Sequence, residues 1–316
     1  MMPSFPVIPR SLVVGCWQLD DRSWRSQSES DIFRAIDTYL ALGVTTFDTA
    51  DIYGRSETLL GKALKGRDCK VFTKAVFFGD EMPSSSQVRN KIDNSLRNLK
   101  RDTLELLQIH WYSPDLDFSE VFEQLNQMRE QGKIQRIGVT NFNTPMLEKA
   151  IALVPICSNQ VQYSLIDRRV ESSMQPFCQQ HDIALLPYGP LAGGYLSKKF
   201  VGVETPPRES DHARSFYYSS MIKAHGGWTP VQEMLTVLKE VAQKYKKTMV
   251  QVALNWVHQQ PGVVAVISGL TLSRERMSLN AEALEWQLAP EDVQFLSEQS
   301  TRLFEQPGGI YSYEQG

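Results

Sequence analysis

Short apolar runs rich in β-branched residues alternate with longer amphipathic ones along almost the whole chain, the pattern of βα units around a parallel sheet. The short runs predict strands near 12–15, 44–48, 70–74, 104–110, 134–139, 158–161, 183–187 and 263–267. Helical periodicity predicts helices near 28–42, 57–65, 86–99, 119–131, 145–153, 171–181, 231–260 and 273–283. Ser56 precedes Glu57-Thr58-Leu59-Leu60 as a candidate N-cap. Thr144-Pro145 places a proline at the start of a helix, where its missing donor costs little. Gly43 and Gly132 fall just past helical runs, as stop residues do. Eight βα repeats fill about 250 residues, the size of a (β/α)8 barrel. The expected fold is therefore α/β: one TIM-barrel domain over 1–316, with a long loop after strand 7 and a C-terminal extension. The stretch 198–229, with Pro206-Pro207 and Gly226-Gly227, is long for a structureless loop and is read as a lid. Residues 302–316 are read as a tail. An open doubly wound sheet is the competing fold, weakened by the lack of G-x-G-x-x-G after the first strand.

Composition narrows the classes of function. With 42% apolar residues the chain can bury a large core without covalent staples. A formal charge of −3 with scattered Lys and Arg gives no basic stripe, so neither nucleic acid nor an anionic membrane is an expected partner. No window approaches the ~20 apolar residues that span a bilayer. The opening Met-Met-Pro-Ser-Phe-Pro lacks the basic and apolar regions of a secretory signal, and a soluble, cytoplasmic protein is expected. Cys16, Cys69, Cys157 and Cys178 fit no zinc or redox spacing and read as core thiols. His110, His181, His212, His225 and His258 lack metal-ligand spacing such as H-E-x-x-H, so no metal is expected.

Chemistry gathers at the predicted strand ends. Asp48 and, just after it, Tyr53 follow the second strand; Lys74 closes the third and His110 the fourth. Thr140-Asn141, Gln160, Tyr188 and Ser268 end later strands. In a parallel barrel these positions share the catalytic rim. An ammonium beside a phenol stabilises the phenolate, which is expected to lower the tyrosine pKa and make it a better proton donor. A carboxylate would keep the amine charged, and an imidazole would orient a carbonyl oxygen. Such a set suits protonation of an alkoxide, with a matched acid contributing roughly 10²–10⁴-fold. None of these groups delivers a hydride, so a cofactor must. A plainer account fits the same residues: Asp48 and Lys74 as a structural ion pair, His110 as a hydrogen-bonding strand-end residue, and Tyr53 packed on the barrel top.

The motifs in order resemble the aldo-keto reductase superfamily. Gly15-Cys16-Trp17-Gln18 is followed by Asp48-Thr-Ala-Asp-Ile-Tyr53-Gly54, Ser56-Glu57 and Leu60-Gly61-Lys-Ala63-Leu64. Thr73-Lys74, Ile109-His110-Trp111 and Gly138-Val-Thr-Asn141-Phe142 come next. Asn159-Gln160 through Asp167-Arg168, and Pro187-Tyr188-Gly-Pro-Leu191-Ala-Gly-Gly194, complete the match, which covers about residues 10 to 285. The resemblance implies a barrel that binds a nicotinamide cofactor across its rim, with Asp48, Tyr53, Lys74 and His110 as the catalytic tetrad. It implies that Thr140, Asn141 and Gln160 hold the carboxamide, that Tyr188 stacks on the nicotinamide, and that Gly189, Leu191 and Gly193 line the pyrophosphate. Gly15 and Cys16 are placed with the cofactor contacts, and Trp17 and Trp111 as walls of the carbonyl pocket. The chain departs from the family at the adenosine end. Ile267-Ser268-Gly269-Leu270 stands where relatives commonly have Ile-Pro-Gly or Ile-Pro-Lys. Ser268, Thr271, Arg276 and Asn280 are the expected contacts there, with Arg274 as a competing arginine. An arginine can grip a 2′-phosphate bidentately, so NADP(H) is favoured over NAD(H).

The leading expectation is NADPH-dependent reduction of aldehydes or ketones to alcohols, reversible, with Tyr53 as general acid or base and a small carbonyl or alcohol as substrate. A nicotinamide-binding regulatory subunit with little turnover is the alternative. A barrel isomerase or lyase using Lys74 as an imine-forming amine is a third reading. The lid is expected to fold over the cofactor through Arg208, Arg214 and Phe216-Tyr217-Tyr218, and the tail through Tyr311 and Tyr313 to cap the pocket.

Overall fold

A computed structural model describes residues 11–77, 83–110, 117–206 and 213–303. Trp111, Arg208, Tyr311, Tyr313 and nearly all of the expected tail lie outside these residues. Eight strands form one parallel sheet: β1 (Ser11–Gly15), β2 (Thr46–Asp48), β3 (Lys70–Ala75), β4 (Leu106–Ile109), β5 (Ile137–Thr140), β6 (Ile156–Gln162), β7 (Ala184–Tyr188) and β8 (Ala265–Gly269). Each strand pairs with its sequence neighbours, and β8 returns to pair with β1. The ring closes where Leu185 donates to the Gly262 carbonyl at 2.9 Å and accepts from the Val264 amide at 3.3 Å. This is the expected (β/α)8 barrel.

Helices follow the strands: α1 (Glu29–Ala41), α2 (Ser56–Ala63), α3 (Ser85–Leu99), α4 (Ser119–Glu130), α5 (Thr144–Leu153) and α6 (Met174–Gln180). After β7 come α7 (Ser219–Ala224), α8 (Trp228–Tyr245) and α9 (Met249–His258); after β8 come α10 (Arg274–Ala281) and α11 (Pro290–Ser300). Several starts are capped as side-chain chemistry dictates, with a side-chain oxygen taking a free amide of the first turn. Ser28 caps α1, Asn143 caps α5 ahead of Pro145, and Ser84 forms a reciprocal box with Gln87 on α3.

Two expectations are corrected and one unforeseen helix is added. Ser56 caps nothing: it is the first residue of α2, wholly buried, and its hydroxyl bonds Thr49 Oγ1 at 2.8 Å and the Cys16 carbonyl at 3.4 Å. The helix expected over 231–260 is two helices. Left-handed Lys246 (φ 52°) ends α8, and Thr248 opens α9 with a capping box to Gln251. Helix α11 was not foreseen, because its inward face carries Asp292 and Ser300 beside Leu296 and so shows little apolar periodicity.

The barrel interior is layered. Val13, Phe72, Leu106, Cys157, Ala184, Leu186, Ala265 and Ile267 form an apolar plug separate from the main core between sheet and helices. Above it, toward the C-terminal rim, inward positions turn polar. Strand side chains alternate, so Phe72 and Lys74 point the same way, as do Leu106 and Gln108. Strand β6 carries one residue more than β5 between two pairings, Ile137 with Ile156 and Val139 with Asn159. That bulge lets Cys157 join the plug while Gln160 reaches the polar layer.

Candidate active site

The polar layer is built around one ion pair. Asp48 and Lys74 are 3% and 1% exposed, and Lys74 Nζ lies 2.5 Å from Asp48 Oδ2. The ammonium also donates to the Thr49 carbonyl at 2.8 Å. The other carboxylate oxygen accepts from Gln160 Nε2 at 2.8 Å and from Gln108 Nε2 at 3.4 Å. A buried pair persists when its remaining donors and acceptors are met, and here four strands meet them.

Tyr53 stands over this pair on the turn that follows β2. Its ring centroid is 5.0 Å from Lys74 Nζ, packs edge-on against the His110 ring at 5.6 Å and lies 6.4 Å from the Trp17 ring. The hydrogen bonds of Lys74 go to Asp48 and Thr49 rather than to the phenol. The phenol is held well above its usual pKa, first by loss of water around it and then by the negative charge of Asp48. The expected acidification by Lys74 is therefore not found: burial disfavours the phenolate, and the carboxylate that fixes the ammonium opposes it further. Burial, reinforced by Lys74, pushes His110 well below its usual range, so its imidazole is neutral near neutral pH. A neutral imidazole still has one N–H to donate.

Next to this cluster, at the end of β5, two buried polar atoms have no hydrogen-bond partner: Thr140 Oγ1 and Asn141 Nδ2. Buried groups of this kind normally have one, so their lack of partners marks a place for a ligand. A carboxamide, with one acceptor and one amino group, fits an amide N–H beside a hydroxyl, so these residues suit a nicotinamide. Asn141 has a left-handed backbone (φ 56°), and its Oδ1 accepts from the Tyr188 hydroxyl at 3.4 Å. Gln160, expected on the carboxamide, also donates its amide N–H to Asp48 at 2.8 Å.

A cleft of about 860 Å³ runs from the end of β7 to the end of β8. Gly189, Leu191 and Gly193 line one end; Ser268, Thr271, Arg276 and Asn280 line the other. Gly189 and Gly193 have φ of 64° and 67°, and a Cβ on Gly193 would lie 2.5 Å from the Tyr218 ring. Among the described lining residues are six cations, Lys198, Lys199, Arg214, Lys239, Lys247 and Arg276, against one carboxylate, Glu275.

Three expected contacts do not reach this cleft. Arg274 is exposed and absent from the lining, whereas Arg276, two residues on, faces it. Cys16 is wholly buried in the main core, its thiol donating to the Val14 carbonyl. Gly15 packs β1 against β8, where a Cβ would lie 3.0 Å from Ile267. Other lining or linking residues were missed. Gln108 lies two residues before His110 on the same strand face, a signal that period-2 reading could have used. Gln162 stands in the same relation to Gln160. Lys239 comes from α8 and Lys247 from the short connection between α8 and α9, and only the tertiary structure turns both toward the cleft.

The segment after β7 is largely helical in its described part and crosses between these regions. Its Ala213 amide donates to the Ser23 carbonyl at 3.1 Å, and Arg214 Nε donates to the Gly193 carbonyl at 3.0 Å. Tyr218 lines the cleft, while Tyr217 packs edge-on to Trp17 beside Tyr53.

The model of the aldo/keto reductase family matches residues 11–300. The chain belongs to that family. It shares 27% identity over 290 residues with the aldo-keto reductase YhdN of Bacillus subtilis, covering 88% of this chain and 86% of that protein. It shares 30% over 292 residues with the oxidoreductase Rv2298 of Mycobacterium tuberculosis, covering 90% and 87%. Among solved structures, the glycerol dehydrogenase AKR11B4 of Gluconobacter oxydans aligns over 97% of both chains with a TM-score of 0.81 at 24% identity, a likeness of fold. An aldo/keto reductase of Klebsiella pneumoniae in complex with NADP and acetate aligns over 93% of this chain and 95% of its own, with a TM-score of 0.71 at 24% identity. As an aldo-keto reductase the chain is a nicotinamide-dependent oxidoreductase. No helix among the described residues is long and apolar enough to cross a membrane. Among the same residues no group of three His, Cys, Asp or Glu is placed to hold a metal ion.

Proposed function

We propose that this aldo-keto reductase uses NADPH to reduce aldehyde or ketone carbonyls to alcohols, with Tyr53 giving the proton. One observation carries the reading: the rim brings Tyr53 and His110 together over the buried Asp48–Lys74 pair, beside the orphaned Thr140 and Asn141 groups. The bound nicotinamide supplies the hydride. As negative charge grows on the carbonyl oxygen, neutral His110 donates a hydrogen bond to it and Tyr53 transfers its proton. Lys74, fixed by Asp48, then faces the resulting phenolate with a positive charge. A phenol of raised pKa stays protonated throughout the physiological range, and an alkoxide is basic enough to take its proton. The arrangement thus favours reduction over alcohol oxidation near neutral pH.

Thr140 and Asn141 hold the carboxamide, and Tyr188 flanks the nicotinamide. The excess of cations in the cleft suits a dinucleotide carrying an extra 2′-phosphate, so NADP(H) is preferred to NAD(H). The NADP bound to the Klebsiella pneumoniae relative is consistent with this. The segment from Ala213 to Tyr218 acts as a strap over the cofactor, because it touches Ser23 on one side of the rim and Gly193 on the other. Lys74 as an imine-forming nucleophile is disfavoured, since its ammonium is buried and held by two acceptors.

The test is NADPH oxidation against a panel of aldehydes, ketones, sugars and quinones. Tyr53→Phe is expected to lower kcat/KM for reduction by roughly 10²–10⁴-fold while NADPH binding is retained. Near wild-type turnover in that variant would remove Tyr53 from the acid's role. Tight NADPH binding without turnover on any substrate would favour the regulatory alternative.

A further inference from the structure

An aromatic side chain from the strap stands beside the Trp17 ring, which itself neighbours Tyr53. Tyr217 lies in the turn Ala213–Tyr218 and is half-buried. Its hydroxyl is 2.8 Å from that of Tyr188, at the end of β7, and donates to Gln162 Oε1 at 3.1 Å, at the end of β6. A hydroxyl has one proton to give. With the Tyr217 proton on Gln162, the Tyr188 proton is shared between Tyr217 and Asn141, so one network joins the strap to the proposed carboxamide residue.

Two strand ends therefore fix the Tyr217 ring. It meets Trp17 edge-on at 5.9 Å (82°), and Trp17 stands tilted beside Tyr53 at 6.4 Å. Aromatic carbon thus borders the approach to the proposed proton donor. A polyhydroxylated substrate placed there would lose water from hydroxyls that face carbon, which costs free energy without a replacement hydrogen bond. A flat conjugated substrate loses nothing of the kind and gains ring contact.

We propose that Tyr217 is a specificity-determining residue: its ring, latched by Tyr188 and Gln162, walls the carbonyl pocket and selects planar aromatic or conjugated carbonyls over polyhydroxylated ones. The inference rests on the reductase reading above. It is tested by measuring kcat/KM with NADPH for benzaldehyde and glyceraldehyde in wild type, Tyr217→Phe and Tyr217→Ala. Wild type is expected to prefer benzaldehyde. Tyr217→Ala should cut that preference by roughly 10-fold or more, mainly through KM, the scale of one lost pocket contact. Tyr217→Phe keeps the ring but loses the latch, so it should lower the preference by less than Tyr217→Ala does. If Tyr217→Ala fails to fold, Tyr217→Leu should shift the preference in the same direction by less.

Wild-type preference for glyceraldehyde, or an equal fall for both aldehydes in Tyr217→Ala, would overturn the proposal and leave Tyr217 a strap residue only. Calorimetric binding of benzoate to the NADP⁺-saturated protein gives a second readout. It should weaken by roughly 10-fold in Tyr217→Ala and by less in Tyr217→Phe, which keeps the ring without its latch. If wild type oxidises no NADPH with either aldehyde, the reductase reading fails on its own. Weakened benzoate binding would then still support the wall, and unweakened binding would remove it.

Discussion

The two ends of the rim are built on different principles. At the catalytic end, Asp48, Lys74, Gln108 and Gln160 come from four strands and satisfy one another in a buried layer. At the far end of the cleft, Arg276, Lys239, Lys198 and Lys199 are exposed side chains on loops and helices. The first region is organised before any ligand arrives, and placing a reacting group needs that rigidity. The second presents charge without fixed geometry, which is enough to attract and hold a phosphate. Buried pairs resist salt, whereas exposed ones are screened within about 8–10 Å at physiological ionic strength. Chemistry and affinity are thus assigned to different physical regimes in two neighbouring regions.

Breaking the catalytic end should have the largest effect. Lys74→Met leaves the Asp48 carboxylate buried without its cation, which costs about 3–5 kcal/mol of stability. It also removes the charge facing the Tyr53 phenolate, so kcat/KM is expected to fall by roughly 10²–10³-fold, the scale of losing one electrostatic stabiliser. Urea unfolding and steady-state kinetics on the folded fraction measure the two losses. A variant as stable and as fast as wild type would dissolve the contrast between the two ends.

The cleft should respond more mildly and only in binding. Arg276→Ala is expected to raise the Kd of NADPH by roughly 10–100-fold, the worth of one charge-assisted hydrogen bond, and to leave NADH nearly unchanged. Fluorescence titration decides this, and equal weakening of both cofactors would show that Arg276 does not read the 2′-phosphate. The same change at Arg274, outside the cleft, should leave NADPH affinity unaltered. A marked loss there would mean that the wrong arginine has been placed at the phosphate.

The smallest effect is a flat pH profile. With Tyr53 raised by burial and His110 lowered by it, reduction should show no titration limb between about pH 6 and about pH 9. In this range Tyr53 stays in its proton-donating form and His110 in its neutral form. A fall in kcat/KM near pH 8 would restore an acidified tyrosine, and a limb near pH 6.5 would restore a charged histidine.

Asp48, Lys74 and His110 were legible because each falls at a strand end, where alternation and the barrel rule together specify its direction. The sign of the Tyr53 shift was not legible. It depends on the balance of burial, a cation and an anion, and nearness in sequence to the lysine strand says nothing of that balance. Gln160 was placed at the rim by its strand end, but its amide bond to Asp48 was not legible, because it depends on the β6 bulge and on the neighbouring Gln108 side chain. The break between α8 and α9 was written in Thr248 and Gln251, although continuous apolar periodicity concealed it.

The order of apolar runs and caps determined the barrel, the ordered motifs carried the likeness to the family, and the strand ends pointed to the four residues of the proposed catalytic cluster. These are local, periodic features, and a parallel barrel converts each into a position on one rim. Folding alone decided which arginine faces the cleft, that Lys239 of α8 and Lys247 just beyond it turn toward it, and that Tyr217 reaches Tyr188, Gln162 and Trp17. Those outcomes depend on contacts between segments far apart in the chain, where a shift of one or two residues turns a side chain toward water or toward the site.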